Sequence, residues 1–481
     1  MKQRSLGVNA LLNGVKQCCS IIFPLITFPY ISRVLGSNGY GKYSFSNSVT
    51  NYFILLAALG IYTYAIREGA KIRDDQKAIN HFCSQVFSIN VCSAAISMLL
   101  LFFMVFFLPK FSGYKVYILI QSTAIVMAVI GTDWVNGIFE DYFYITVRYI
   151  AVQCICLLAM FVFVRQPEDI IPYCIISVLA TNGGNLINIF YVGKYAKIRF
   201  TFNMDLKRHL LPLLILFVNS IAITIYVNSD ITMLGFFESD AQVGVYSFAS
   251  KIYNLLKQLI NAVVVVSVPR IAYILKNKSE EYKTFINKIF SALNIILLPI
   301  IVGMFCMSDS MILLAGGEQY ISGEAALKIL SVATLFAIYA SLFTNCVLIV
   351  NGQEKYCLEA TVVSAIVNVA MNLVLMPRLG MIGAAITTVL AEFVNCMMQI
   401  YFSRTFFSWK MLDIKSVESC LCGSVAIGII CILCNQYFDR SLWRMISASL
   451  ISVVVYAGIL IVTKNPTVHD YICAIAKKHK D

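Results

Sequence analysis

Charge is what this chain has least of. Only 13% of its 481 residues are Asp, Glu, Lys or Arg, against roughly 25% in a soluble protein. That is too little polar surface to face water on all sides, so a soluble globular domain is excluded. Histidine is scarcer still: His81, His209, His469 and His479 all fall in predicted loops or the tail. No imidazole is then expected in the apolar runs to relay protons or hold a metal there. The chain has no phosphate-cradling glycine loop, no G-x-S-x-G and no zinc-type spacing, which disfavours an ATP-driven pump or a hydrolase. Its apolar runs do not alternate, which argues against a β-barrel. No segment between them is long; the largest, about residues 307–324, is too short for an external catalytic domain. A polymerase or ligase is disfavoured on that ground.

What the chain has in abundance is apolar sequence: 59% hydrophobic, with a mean hydropathy of +0.79. The runs repeatedly exceed the roughly 18 residues that mark a bilayer span. The fold class is an all-α polytopic membrane protein of about 14 transmembrane helices. Spans are predicted near 8–32, 43–66, 82–108, 116–138, 144–164, 170–193, 209–233, 242–269, 284–307, 325–350, 357–376, 381–403, 416–438 and 443–463. Met1-Lys2-Gln3-Arg4 and the run behind them look like a signal sequence. The run is too long and lacks a small-residue cleavage site, so it is expected to stay as the first helix. The 16 cysteines lie almost entirely in the runs and read as small apolar packing residues, the Cys431–Cys434 pair included.

The chain repeats itself. Gly41-Lys42-Tyr43-Ser44-Phe45-Ser46 returns as Gly244-Val245-Tyr246-Ser247-Phe248-Ala249, and Leu35-Gly36 returns as Leu234-Gly235. Asn136-Gly137 before Glu140-Asp141-Tyr142 is echoed by Asn351-Gly352 before Glu354-Lys355-Tyr356. Two related half-units of six spans each follow, a common plan in transporters. The expected domains are 1–205 (spans one to six), 206–405 (spans seven to twelve) and 406–481 (two further spans and a tail). A short loop, Gly36–Gly39, is predicted between the first two spans. Pro24 and Pro29 each remove a backbone donor, so a bent, partly unwound first helix is expected.

Lys and Arg set the orientation. With both ends cytoplasmic, 25 of the 37 basic residues fall on the cytoplasmic side and nine on the other. The net +12 is then mostly a topology signal with attraction to anionic lipid. It is not a nucleic-acid footprint.

Polar residues inside the spans carry the functional information, because they are costly there. Asn9, Asn13, Lys16 and Ser20 share one helical face in span one, as their spacing requires. Ser44, Ser48 and Asn51 do so in span two, and Ser247, Lys251, Asn254, Gln258 and Asn261 in span eight, with Lys257 beside them. Thr361, Ser364, Asn368 and Asn372 line span eleven; Thr388, Glu392, Asn395 and Gln399 line span twelve. Such stripes either tie helices together or wall a wet cavity between lobes. Lys16, Lys251 and Lys257 are the candidate anion ligands, suited above all to a phosphate. Glu392 is a candidate partner for a lysine, or a carrier of H⁺ or Na⁺. Arg148 is expected to snorkel to the interface, and Asp133 and Asp230 to lie near it.

Pro24-Leu25-Ile26-Thr27-Phe28-Pro29-Tyr30-Ile31-Ser32-Arg33-Val34-Leu35-Gly36, then Gly41, Tyr52-Phe53, Gly60 and Arg67-Glu68-Gly69, resemble the N-terminal region of bacterial oligosaccharide flippases. These are the O-antigen and capsule repeat-unit (Wzx-type) translocases of the multidrug/oligosaccharidyl-lipid/polysaccharide exporter superfamily. Asp133-Trp134, Gly137-Ile138-Phe139-Glu140, Ile145-Thr146 and Arg148 resemble that family's segment near span four. Asn368, Asn372, Pro377, Gly380, Gly383-Ala384-Ala385 and Glu392 resemble its spans eleven and twelve. The resemblance implies two six-helix lobes in a V shape plus two C-terminal helices, in a bacterial inner membrane. It implies movement of undecaprenyl-diphosphate-linked oligosaccharide repeat units from the cytoplasmic to the periplasmic leaflet by alternating access, for O-antigen, capsule or exopolysaccharide synthesis. No enzymatic step and no cofactor are implied, beyond H⁺ or Na⁺ coupling. Partners would be the lipid-linked oligosaccharide, the bilayer, and polysaccharide polymerase and chain-length machinery. In that setting Lys16, Lys251 and Lys257 would meet the diphosphate. Asn13, Asn51, Asn254, Gln258, Asn261, Asn368 and Asn372 would meet the sugar, and Glu392 the coupling ion. The alternatives are a cation-coupled multidrug exporter of the same superfamily and a flippase for the peptidoglycan lipid precursor. The first would want acids deep in the first lobe, where this chain has Lys16.

Overall fold

The computed structural model describes residues 6–277, 279–406 and 414–469, and among them the regular structure is helical. Twelve helices there are long and apolar enough to cross a membrane. Two of these are double. Helix α1 (Leu6–Ala58) has 53 residues, about 80 Å at 1.5 Å per residue, more than twice a hydrocarbon core of roughly 30 Å. Its one non-helical residue is Gly36, at φ 70° and ψ 174°. The Glu354–Ser403 helix has 50 residues and breaks only at Gly380, φ 53°. Both breaks need a left-handed φ, which glycine reaches without a Cβ clash. Two doubled helices among twelve account for the fourteen crossings expected. The predicted Gly36–Gly39 loop is therefore a single-residue break. The unwinding expected at Pro24 and Pro29 is also corrected: both sit inside α1, whose one residue of non-helical dihedrals is Gly36.

The chain divides into two compact units, Met1–Gly244 and Val245–Asp481. In the first, α1 is followed by α2 (Ile61–Gly69), α3 (Gln76–Phe107), α4 (Lys115–Gly131), α5 (Asp133–Ile138), α6 (Tyr142–Phe163), α7 (Ile170–Val192) and α8 (Leu206–Phe237). Helix α1 packs against α3, α4, α6 and α8, and α4 against α7. One end of this unit has a core of Tyr64, Phe82, Trp134, Ile138 and Leu213. Helix α9 (Asp240–Asn277) starts at the end of the first unit and continues into the second.

The second unit adds α10 (Ser279–Cys306), α11 (Ser308–Ala315), α12 (Glu324–Leu342), α13 (Glu354–Ser403), α14 (Ile414–Tyr437) and α15 (Ser441–Val462). Helix α12 lies along α13, and α14 pairs with α15 and α10. Cys420, Cys431 and Cys434 pack with Met307, Ile427 and Tyr456, as small apolar residues do. The stretch 307–324, expected as the longest loop, is largely α11 and a 3₁₀ turn, Glu318–Gly323.

Packing carries the repeat that the sequence announces. Phe45 is fully buried and stacks on Phe111 at 6.0 Å, with its edge toward Tyr114 at 4.8 Å. Both partners lie in the 3₁₀ turn Pro109–Tyr114, just ahead of α4. In the second unit Phe248, also fully buried, stacks on Tyr320 at 4.3 Å, in the 3₁₀ turn just ahead of α12. Each copy of the motif thus drives one phenylalanine into an aromatic turn. The repeated glycines meet directly: a Cβ on Gly41 would overlap the Asp240 carbonyl, and one on Gly244 the Ser37 carbonyl.

Candidate functional site

Two polar clusters stand out, one in each unit. In the first unit a cavity of about 350 Å³ is bordered by Lys16 of α1, Asp133 and Trp134 of α5, Arg148 and Tyr149 of α6, and Asn182 and Asn185 of α7. Arg148 is buried and paired with Asp133. It does not snorkel, because α7 makes room for it: a Cβ on Gly184 would lie 3.0 Å from its Nε. The guanidinium also stacks over Tyr144, 5.2 Å from the ring centre. The snorkelling expected of Arg148 is corrected accordingly. Only one arm of the guanidinium is satisfied: Nη1 of Arg148 is buried without an acceptor among the described residues, and so is Nε1 of Trp134. A buried donor left unpaired costs free energy. Lys16, half-buried, lies over the Tyr149 ring at 5.7 Å. The cavity is thus bordered by two cations and one carboxylate.

In the second unit α9 and the later half of α13 carry the other cluster. Glu392 is almost fully buried, its side chain 4% exposed. Its Oε1 accepts from the Tyr253 hydroxyl at 3.0 Å and from Lys257 Nζ at 3.3 Å. Lys257 also donates to the Tyr253 oxygen at 3.2 Å and lies over that ring at 4.8 Å. Tyr253 and Lys257 are four residues apart on α9, hence on one face. Two turns earlier Tyr246 meets Thr388 at 3.3 Å, one turn ahead of Glu392 on α13. The carboxylate is thus fixed by a lysine and a tyrosine, not exposed as a free acid.

The remaining candidates scatter. Lys251 is half-buried on a different face of α9, and no hydrogen bond or ion pair engages it among the described residues. Asn254 folds back on Ser250, and Gln258 is exposed. Asn261 accepts from Ser341 of α12 at 2.5 Å. Asn372 donates to Asn368 at 3.1 Å and accepts from Thr387, which lies past the Gly380 break. These two asparagines therefore pin the two halves of α13 together. Asn51 donates to Asn228 of α8 at 3.3 Å, beside a Thr232–Ser48 bond. The side chain of Asn13 lies outside the described residues.

Sequence reasoning missed two groups. One is the Asp133–Arg148 pair, whose signal was opposite charge within apolar runs and a glycine pair, Gly183-Gly184, to receive it. The other is His209, expected in a loop. It is fully buried as the fourth residue of α8, between the Tyr64 hydroxyl at 2.6 Å and Gln85 Oε1 at 3.1 Å. Asp230, expected near an interface, is likewise buried in α8.

Comparison with known proteins places this geometry. Residues 6–275 match the family described as polysaccharide biosynthesis protein. The match spans more than half of the chain, and the chain belongs to that family, as the motifs of its first span predicted. An Escherichia coli (strain K12) protein named "Putative O-antigen transporter" is 23% identical over 404 residues, covering 83% of this chain and 97% of its own length. A solved structure of "Lipid II flippase MurJ, inward closed conformation" superposes with a TM-score of 0.76 at 15% identity, over 97% of this chain and 99% of that one. An inward-facing multidrug resistance MATE family transporter of the MOP superfamily gives 0.56 at 14% identity, over 84% of this chain and 96% of the other. The fold is therefore of the MurJ and MATE type, a multi-pass membrane protein.

Proposed function

We propose that the chain is a flippase that carries undecaprenyl-diphosphate-linked oligosaccharide repeat units from the cytoplasmic to the periplasmic leaflet of a bacterial inner membrane. It works by alternating access, with both termini in the cytoplasm, and serves O-antigen, capsule or exopolysaccharide synthesis. Family membership supports a polysaccharide role. The observation that carries the reading further is the first unit's cavity, bordered by the cations Lys16 and Arg148 and by Asp133 as the acid among its lining residues. A diphosphate supplies several acceptor oxygens and at least two negative charges, which match that excess of positive charge. Charge-assisted bonds of this kind are the strong ones. A cationic drug would meet repulsion at the same wall.

Lys251 is the second proposed phosphate ligand, since no partner is recorded for it among the described residues. Lys257 is the third, in exchange: a phosphate oxygen would compete with Glu392 for its ammonium. Protonating Glu392 removes the carboxylate charge and frees the lysine, so a proton would be taken up together with the anion. Sodium at the carboxylate would act the same way. The sugar would be met by Asn13, Asn51, Asn254 and Gln258, and by Asn261, Asn368 and Asn372 if the segments they now join move apart.

The test is surface polysaccharide in cells relying on a variant. Lys16→Ala is expected to lower the polymer at least about tenfold, the effect of one lost charge-assisted contact of about 1.5–3 kcal/mol, with unchanged protein in the membrane. Lys16→Arg should keep most of it. Wild-type polymer from Lys16→Ala would remove the anion-site reading.

A further inference from the structure

The segment between α7 and α8 is an extended strap laid along helix α3. Alternate residues of the strap are held by α3 side chains one helical turn apart. The backbone N–H of Lys197 donates to Asn80 at 2.8 Å, that of Arg199 to Ser84 at 3.1 Å, and that of Thr201 to Ser88 at 2.8 Å. Gln76 and Gln85 close the two ends on the Tyr195 and Asn203 carbonyls, at 2.9 and 3.1 Å. The match is metric. Two extended residues advance about 6.7 Å and four helical residues about 6.0 Å, so a strand and a helix face stay in register for three steps.

The ladder ties down alternate backbone N–H groups of the strap; Ala196 and Ile198 pack into the core, and Lys197, Arg199, Phe200 and Phe202 stay exposed. Phe202 is 90% exposed and Phe200 46%, with their rings edge to face at 5.2 Å. Lys197 and Arg199 are exposed beside them. Residues 194–208 hold five basic side chains and one acid, Asp205. Both ends of the strap are the ends of membrane-crossing helices, α7 and α8, so it cannot lie far from the bilayer surface.

We propose that this strap is an anchor for anionic phospholipid. Phe200 and Phe202 enter the acyl boundary, while Lys197 and Arg199 hold headgroup phosphates. Basic side chains beside an embedded aromatic are the usual terms of interfacial binding. The ladder to α3 fixes their order beforehand, so binding need not order the segment. An acidic protein surface would satisfy the basic residues but would leave two phenylalanines without an apolar host.

The experiment counts lipids retained by the purified full-length protein in native mass spectrometry. Phosphatidylglycerol and phosphatidylcholine of identical acyl chains are each added at the same concentration. Wild type should retain more phosphatidylglycerol. Lys197→Gln with Arg199→Gln should cut its retention about thirtyfold, the effect of removing two surface charges, and leave phosphatidylcholine unchanged. Phe200→Ser with Phe202→Ser should lower both lipids. Lys276→Gln with Lys283→Gln, which removes equal charge elsewhere, should change neither. Equal retention of the two lipids by wild type would overturn the proposal and favour an acidic protein partner. An equal loss in the Lys276/Lys283 control would overturn it as diffuse charge.

Discussion

Glu392 shows what a single charge inside a membrane helix requires. Its carboxylate is buried, and one tyrosine and one lysine of α9 hold it. Removing one member of such a pair leaves the other without its counter-charge. The Lys257 side chain is 28% exposed, so water relieves part of the penalty. Glu392→Gln is expected to destabilise the purified protein by about 2 kcal/mol in denaturant unfolding. The joint replacement Glu392→Leu with Lys257→Met should lose far less, since an apolar replacement of the pair is nearly neutral. If the double variant is as unstable as the sum of both singles, the pair is not the source of the effect. The sequence placed Glu392 in a span and offered it a lysine. It could not choose Lys257 over Lys251, because that depends on which face of α9 meets α13. Arg148 was misread for a related reason: a position near a helix start favours snorkelling only when no acid and no glycine gap wait beside it, and both do.

Elements were legible where a pattern had to be obeyed. Apolar length gave the crossings, and the breaks inside the two doubled helices both fall on glycines of left-handed φ, Gly36 and Gly380. The repeat was visible as six residues, and its reason lies in packing: Phe45 and Phe248 fill matching aromatic turns, while Gly41 and Gly244 let backbones touch. What stayed hidden was anything set by a distant segment. The asparagines at 368 and 372 looked like a cavity stripe and serve here to join the halves of α13. The alternation of Lys197, Arg199 and Thr201 meant nothing until Asn80, Ser84 and Ser88 came alongside. The glycine contact gives the sharpest expectation at this scale. Gly41→Ala and Gly244→Ala should each lower stability by about 1–3 kcal/mol through overpacking, read as a fall in melting temperature. Gly14→Ala, where a Cβ meets nothing within 4 Å, should not. Equal melting temperatures for all three would place the glycines outside any tight crossing.

For the whole molecule, scarcity of charge required a membrane protein, and family membership makes it one of polysaccharide biosynthesis. The net +12 includes the exposed basic strap and the cations Lys16, Arg148 and Lys257 set within the two units. Of these, only the last three enter the proposed transport site. The fold that this chain shares with MurJ and MATE transporters does not by itself choose a cargo, so the choice rests on the basic wall around Lys16 and Arg148. The direct measurement is translocation by the purified chain in proteoliposomes. Undecaprenyl-diphosphate-linked oligosaccharide is placed in both leaflets, and a membrane-impermeant sugar oxidant reports the exposed fraction. The account predicts that essentially all of the lipid-linked sugar becomes accessible with the wild-type chain, and only about half with Lys16→Ala or with empty vesicles. Accessibility fixed at about half with the wild-type chain, or unchanged by Lys16→Ala, would contradict it.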